Sequence, residues 1–206
     1  MADRPLVLGV VLFPDFELLD VYGPLEVLGH LKDEFRILMI GPERGPVASA
    51  QGPRTIADHG LDDAPALDVL LVPGGLGTRR EVANDRLLGW LRERAGQASL
   101  VASVCTGSAL LARAGILDGH RATSNKRAWD WVVSQGPQVR WVRQARWVED
   151  GKFWTSSGVS AGIDMTLRFV ATRLGQEAAE DFAWRIEYTW HRDADVDPFV
   201  APRPKS

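Results

Sequence analysis

The chain has 206 residues, with 24 basic and 27 acidic side chains and a formal charge of −3 at pH 7. That length fits one generous domain with a substantial core, and the acidic balance excludes a general nucleic-acid binder, which would show a basic face. A lone cysteine excludes an internal disulfide and a thiolate-rich zinc site, and it suits the reducing cytoplasm.

Leu6 to Phe13 is apolar almost throughout, as a strand covered on both faces should be. It follows a single basic residue and leads into Pro14-Asp15-Phe16-Glu17 without a small-residue cleavage site, so it does not read as a signal peptide. Nowhere does the sequence reach the roughly 18–20 consecutive apolar residues of a membrane span. Asp20 to His30 has helical spacing, Phe35 to Ile40 is a second strand, and Val69 to Val72 a third, stopped by Pro73-Gly74-Gly75. Glu81 to Ala95 reads as an amphipathic helix with a solvated charged face. Leu100 to Val104 is a fourth buried strand, followed by a helix from Ser108 to Gly115. Val139 to Trp154 predicts strands around a turn at Glu149-Asp150-Gly151. Two more helices are expected at Ser160–Leu174 and Glu177–Tyr188.

Strands alternating with helices predict an α/β fold with a mostly parallel central sheet sandwiched by helices. No repeat, linker or composition shift marks a boundary, so residues 1–200 are expected to form one domain and 201–206 a frayed, proline-rich tail. In such sheets ligands bind beyond the carboxyl ends of the strands, which directs attention to the residues after Phe13, Val72 and Val104.

Three features stand out there. Cys105, in Ser103-Val104-Cys105-Thr106-Gly107-Ser108, sits where a buried strand turns into a helix, as in the nucleophile elbow of hydrolases. The helix that follows would aim amides and its positive end at the sulfur, favouring thiolate, the reactive form. The alternative is a small packed hydrophobe, since free cysteine is often buried. Pro73-Gly74-Gly75-Leu76-Gly77 would bring backbone amides close to a ligand, and with the Thr106 amide they would form an anion-stabilising pocket. It is neither a dinucleotide fingerprint, because Arg80 stands where the third glycine belongs, nor a Walker loop.

The third feature is Asp20, read either as a helix N-cap or as a carboxyl beside Cys105. In the second reading, burial and a neighbouring thiolate would keep it protonated, able to donate and accept protons. Asp15 and Glu17 fall in the turn and are expected to be solvent-exposed. None of the four histidines adjoins Cys105 in sequence, and no pair has metal-ligand spacing. Most of the eight tryptophans lie in periodic segments and read as core or subunit-contact residues.

Taken in order, Leu12-Phe13-Pro14, Leu19-Asp20, Gly23-Pro24, Val72-Pro73-Gly74-Gly75, Ser103 to Ser108, Arg121-Ala122-Thr123, Gly158 and Ala161-Gly162-Ile163-Asp164 resemble the ThiJ/PfpI superfamily, and most closely its isocyanide hydratase branch. The resemblance implies a flavodoxin-like three-layer sandwich, usually a homodimer, acting on a small molecule with no metal or organic cofactor. It implies Cys105 as nucleophile, Asp20 as its carboxyl partner and Thr106 as a catalytic neighbour. Gly74, Gly75, Asn125, Ser157 and Gly158 would surround the substrate. The implied chemistry is attack of sulfur on the terminal isocyanide carbon, a thioimidate, and release of an N-substituted formamide. Alternatives on the same scaffold are a glyoxalase- or deglycase-type enzyme acting on 2-oxoaldehydes and a non-enzymatic thiol redox sensor. The departures from the superfamily pattern also bear on function. Thr106 replaces the histidine of the protease-like branch, Asn125 stands where many relatives have histidine, and Ser156-Ser157 replaces a glycine-rich stretch. No room is left after Tyr188 for the helix-turn-helix module of the superfamily's regulators.

Overall fold

The computed structural model describes residues 4–201; the expected tail, apart from Ala201, lies outside the described residues. In chain order the elements are β1 (Leu6–Val11), α1 (Leu18–Leu28), β2 (Phe35–Ile40), β3 (Gly45–Ala48), β4 (Arg54–Ala57) and β5 (Val69–Val72). Then come α2 (Thr78–Glu81), α3 (Asp85–Gln97), β6 (Leu100–Ser103), α4 (Gly107–Arg113), β7 (Arg121–Ala122), α5 (Trp129–Gln135) and β8 (Arg140–Trp141). β9 (Trp147–Asp150), β10 (Phe153–Ser156), α6 (Ala161–Leu174) and α7 (Gln176–Arg185) complete the described fold.

A six-stranded sheet runs in the order β2-β1-β5-β6-β10-β9. Every neighbouring pair is parallel except β10–β9, an antiparallel hairpin turning at Gly151 (φ +60°). β5, apolar throughout, and β10 (Phe153–Ser156) are buried at every position, as strands covered on both faces must be. Helices α1, α6 and α7 pack together in one layer, and α3, α4 and α5 in another. The molecule is therefore the α/β sandwich the alternating pattern predicts, with its core along the sheet.

Strand order reverses between β1 and β5, one strand lying outward of β1 and three beyond β5. That switch point opens a crevice at the strands' carboxyl ends. The chain segments leaving β1, β5, β6 and β10 all reach this rim.

Several expected boundaries shift for local reasons. The helix predicted over 81–95 starts later, as α3 at Asp85, because the Asn84 side chain accepts the Leu87 amide at 3.2 Å and caps it, while Glu81 ends the short α2. The β3–β4 hairpin and α5 escaped the hydrophobic pattern; β3 and β4 bury only alternate or single positions. Among the described residues no helix is long and apolar enough to cross a membrane.

Candidate active site

The chain leaves β6, passes Val104 and turns at Cys105, whose φ of +58° lies in the left-handed region. A non-glycine residue there is uncommon and points to a functional constraint. The turn is possible because α4 begins on a glycine: a Cβ on Gly107 would stand 2.2 Å from the Val72 carbonyl oxygen, which is backbone and cannot yield. The Cys105 amide donates to the Ser157 carbonyl at 3.1 Å, and its own carbonyl accepts from Ser124 Oγ at 2.8 Å. The elbow is thus pinned to the β10 exit loop and to the segment after β7.

Cys105 is 5% exposed and lies in the wall of a cavity of about 410 Å³. Asn125 Nδ2 donates to Sγ at 3.1 Å. Its orientation is fixed because Oδ1 accepts the amides of Arg127 (2.9 Å) and Ala128 (3.0 Å), leaving only the NH₂ end to face sulfur. Gly158 makes room for it; a Cβ there would lie 2.6 Å from Asn125 Nδ2. The amides of Val159 and Thr106 also point at the sulfur. No histidine lines the cavity.

Asp20 is fully buried in the first turn of α1, beside the thiol. It is not the N-cap considered from sequence: Glu17 holds that position, and Asp20 Oδ2 instead accepts the Gly74 amide at 2.8 Å. Among the described residues Oδ1 has no hydrogen-bond partner. Burial drives the Asp20 pKa well above the ordinary carboxylate value, against the Gly74 amide and with a further push from the charge of Glu17. The group is therefore disposed to carry a proton, as the second sequence reading expects.

Two expectations change. Burial, reinforced by Asp20, pushes the Cys105 thiol up to about 12, outweighing the Val159 and Thr106 amides and Asn125, which pull it down. Burial thus works against the thiolate expected from sequence, because desolvation of a buried anion opposes the help of a few donors. The Gly74 and Gly75 amides, expected to face an anion, are already engaged: Gly74 holds Asp20, and Gly75 donates to Thr106 Oγ1 at 3.0 Å. Thr106 Oγ1 also accepts from Thr78 Oγ1 at 3.2 Å, so this hydroxyl braces the glycine turn.

Gly75, Thr106 and Asn125 do line the cavity with Cys105, while Ser157 and Gly158 line an adjoining one of about 210 Å³ that shares Asn125 and Val159. Glu17, Arg79, Arg127 and Val159 were not singled out as site residues from sequence, yet all four stand in the cavity wall. A backbone donor such as Val159 has no side-chain signature. Its φ of +40° is unexpected for a β-branched residue and marks local strain beside the sulfur. A separate void of about 30 Å³, between the sheet and α1/α6, is almost wholly apolar and is a packing gap. Among the described residues, no group of three or more histidine, cysteine or acidic side chains is placed to hold a metal ion.

The sequence profile of the DJ-1/PfpI family matches residues 7–172. The chain is 35% identical over 199 residues to the isonitrile hydratase of Pseudomonas putida, covering 97% of this chain and 83% of that one. It is 30% identical over 179 residues to the transcriptional regulator GbdR of Pseudomonas aeruginosa, but spans only 48% of that protein. A crystal structure of a ThiJ/PfpI family protein from Pseudomonas syringae superposes with a TM-score of 0.82 at 30% identity, over 95% of this chain and 77% of that one. With the profile match running from β1 into α6 and the elbow built as described, the chain belongs to the DJ-1/PfpI family.

Proposed function

We propose that this protein is a cysteine-dependent hydratase that converts a small isocyanide to the N-substituted formamide. The observation that carries the reading is a thiol at the wall of a cavity beside a buried carboxyl that favours its neutral form and has one oxygen unpartnered. Similarity to an isonitrile hydratase over nearly the whole chain supports it.

An isocyanide carbon accepts both a nucleophile and a proton, so a neutral thiol paired with a neutral acid suits it. Sγ forms a bond to the terminal carbon while Asp20 Oδ1 delivers its proton to that carbon and regains one from the thiol, giving the thioimidate R–N=CH–S. Asn125 and the amides of Thr106 and Val159 offset the negative charge that builds on sulfur during the transfer. Water then adds its oxygen to the same carbon, with Asp20 taking a proton from it and returning one to nitrogen. The carbon–sulfur bond breaks, sulfur recovers its proton, and the formamide leaves. Asp20 ends each cycle as it began, and the balance is one isocyanide plus one water to one formamide.

Incubation with an aryl isocyanide, followed by formamide absorbance, tests the reading. Turnover is expected, abolished in Cys105→Ala and lowered at least about 100-fold in Asp20→Asn, the scale typical for loss of a general acid–base. An unchanged isocyanide removes the reading, and activity surviving in Cys105→Ala removes the role of sulfur. Methylglyoxal in the same assay tests the 2-oxoaldehyde alternative. Asn125 weighs against that chemistry, since an amide cannot take up and return a proton as histidine does.

A further inference from the structure

We propose that the cavity over Cys105 selects small substrates bearing an anionic group, a carboxylate on the isocyanide if the function proposed above is right, and that Arg79 and Arg127 receive it. Both arginines line the cavity, and among the described residues Glu17 is the only carboxylate in its wall. Glu17 Oε1 is occupied by Gln51 Nε2 at 2.6 Å. Among the described residues neither arginine forms a salt bridge: neighbouring Arg80 takes the local carboxylates, Asp15 at 3.2 Å and Glu81 at 2.9 Å. The wall therefore gathers two guanidinium groups against one acid in a chain whose net charge is −3.

The Arg79 guanidinium lies 4.1 Å from the centroid of the Trp131 ring, a cation–π contact that limits its wandering. The Arg127 main chain is anchored at the site, its backbone amide donating to Asn125 Oδ1, the other end of the side chain that touches sulfur. An anion at the cavity mouth would thus be held by planar donors suited to bidentate carboxylate contact. Its electrophilic end would then project toward Sγ. The adjoining cavity, which shares Arg127 and ends at the exposed ring of Phe199, gives room for an apolar body.

Because Cys105 is the sole cysteine, its alkylation reads this selection without any turnover. Iodoacetate and iodoacetamide form the same kind of carbon–sulfur bond and expel the same iodide, differing in charge. In the native protein the iodoacetate-to-iodoacetamide rate ratio is expected to exceed that of the urea-unfolded chain at least fivefold. It should fall at least fivefold in Arg79→Gln/Arg127→Gln, and decline with added salt. Arg127→Lys, which keeps the charge, should retain most of it. A native ratio equal to the unfolded one, or unchanged in the double variant, overturns the proposal; if the double variant does not fold, the single Arg127→Gln and the salt series decide. With turnover, 4-isocyanobenzoate should exceed its methyl ester in kcat/KM at least tenfold, mainly through KM, and this ratio should collapse in the double variant. Should neither isocyanide react while the alkylation ratio keeps its arginine dependence, the hydratase reading fails and anion selection stands. Turnover without charge preference overturns the inference alone.

Discussion

At Asp20 the needs of chemistry and of folding oppose each other. A carboxyl with no exposure and one satisfied oxygen is costly to ionise, which is why its pKa is raised by burial. The folded state therefore keeps a proton that the unfolded chain releases near pH 4. Stability is fully present below that pH and is lost as pH rises through the raised folded value. Asn replaces the carboxyl nearly isosterically, its oxygen taking the Gly74 amide and its NH₂ standing where Oδ1 carries the proton. Asp20→Asn is expected to cripple turnover and yet melt higher at pH 8–9, with no gain at pH 4. For a chain of this size each kcal/mol recovered corresponds to about 2–4 °C in Tm. Thermal scans of both proteins across pH check it; a parallel loss of stability at every pH would mean that Asp20 is a structural acid, not a strained proton carrier.

The elbow between β6 and α4 is the element on which the site turns, and its tolerance is set by backbone contact. Gly107→Ala would drive a methyl into the Val72 and Pro73 carbonyls at 2.2 and 2.8 Å, so the strand-to-helix turn must open. A cost of about 2–4 kcal/mol is expected, in the upper range for single substitutions, together with faster alkylation of Cys105 as its cover loosens. A shift in the urea midpoint reports the first and thiol labelling the second; a fully stable Gly107→Ala protein would show the turn to be more compliant than its contacts imply. This element was legible in the sequence because a buried apolar run ending in Ser103-Val104-Cys105-Thr106-Gly107 leaves few other geometries. The place of Asp20 and Gly74 on the rim was legible for the same reason, since parallel strands bring their carboxyl ends together, but not that the Gly74 amide is spent on Asp20. The contact of Asn125 with sulfur was not, because it hangs from β7, a strand of two residues with no periodicity to read. Arg79 and Arg127 look like any solvated arginines until the cavity between them is seen. The upward push of burial on the Cys105 thiol was also invisible, because desolvation is something no local pattern encodes.

At the scale of the whole molecule, the segment after α7 returns to the stretch that leads into β9 and closes a buried charge cluster. Arg146 Nε donates to Asp164 Oδ2 at 2.7 Å, and Arg146 Nη1 lies 3.9 Å from Asp197 Oδ1. The Lys126 ammonium bonds Thr123 Oγ1 and the Ala145 carbonyl, both at 2.7 Å, and stands 3.6 Å from Asp197 Oδ2. The returning segment is also held by main chain, through Arg146 N to Ala194 O at 2.7 Å and Asp197 N to Gln144 O at 2.9 Å. Two cations and two anions balance, so removing one charge matters more than the long Asp197 contacts suggest. Burial lowers the Lys126 pKa to about 8, with the charge of Asp197 opposing that fall. In Asp197→Asn the lift disappears, and a surplus positive charge is left buried. That variant is expected to lose about 3–5 kcal/mol near pH 6, the scale for breaking a buried ion pair. Because a lowered lysine pKa makes the unfolded chain bind more protons, stability rises with pH above the folded value. The variant reaches that regime at lower pH than the wild type, so its deficit should shrink as pH climbs from 6 to about 8. Lys126 adjoins Asn125 in sequence, so the same variant should also release the Asn125 contact and alter the rate of Cys105 alkylation. Urea titrations at several pH values decide the matter: a pH-independent deficit would assign the effect to lost packing, and no deficit would mean that solvent already reaches the cluster and the returning segment does not secure the site.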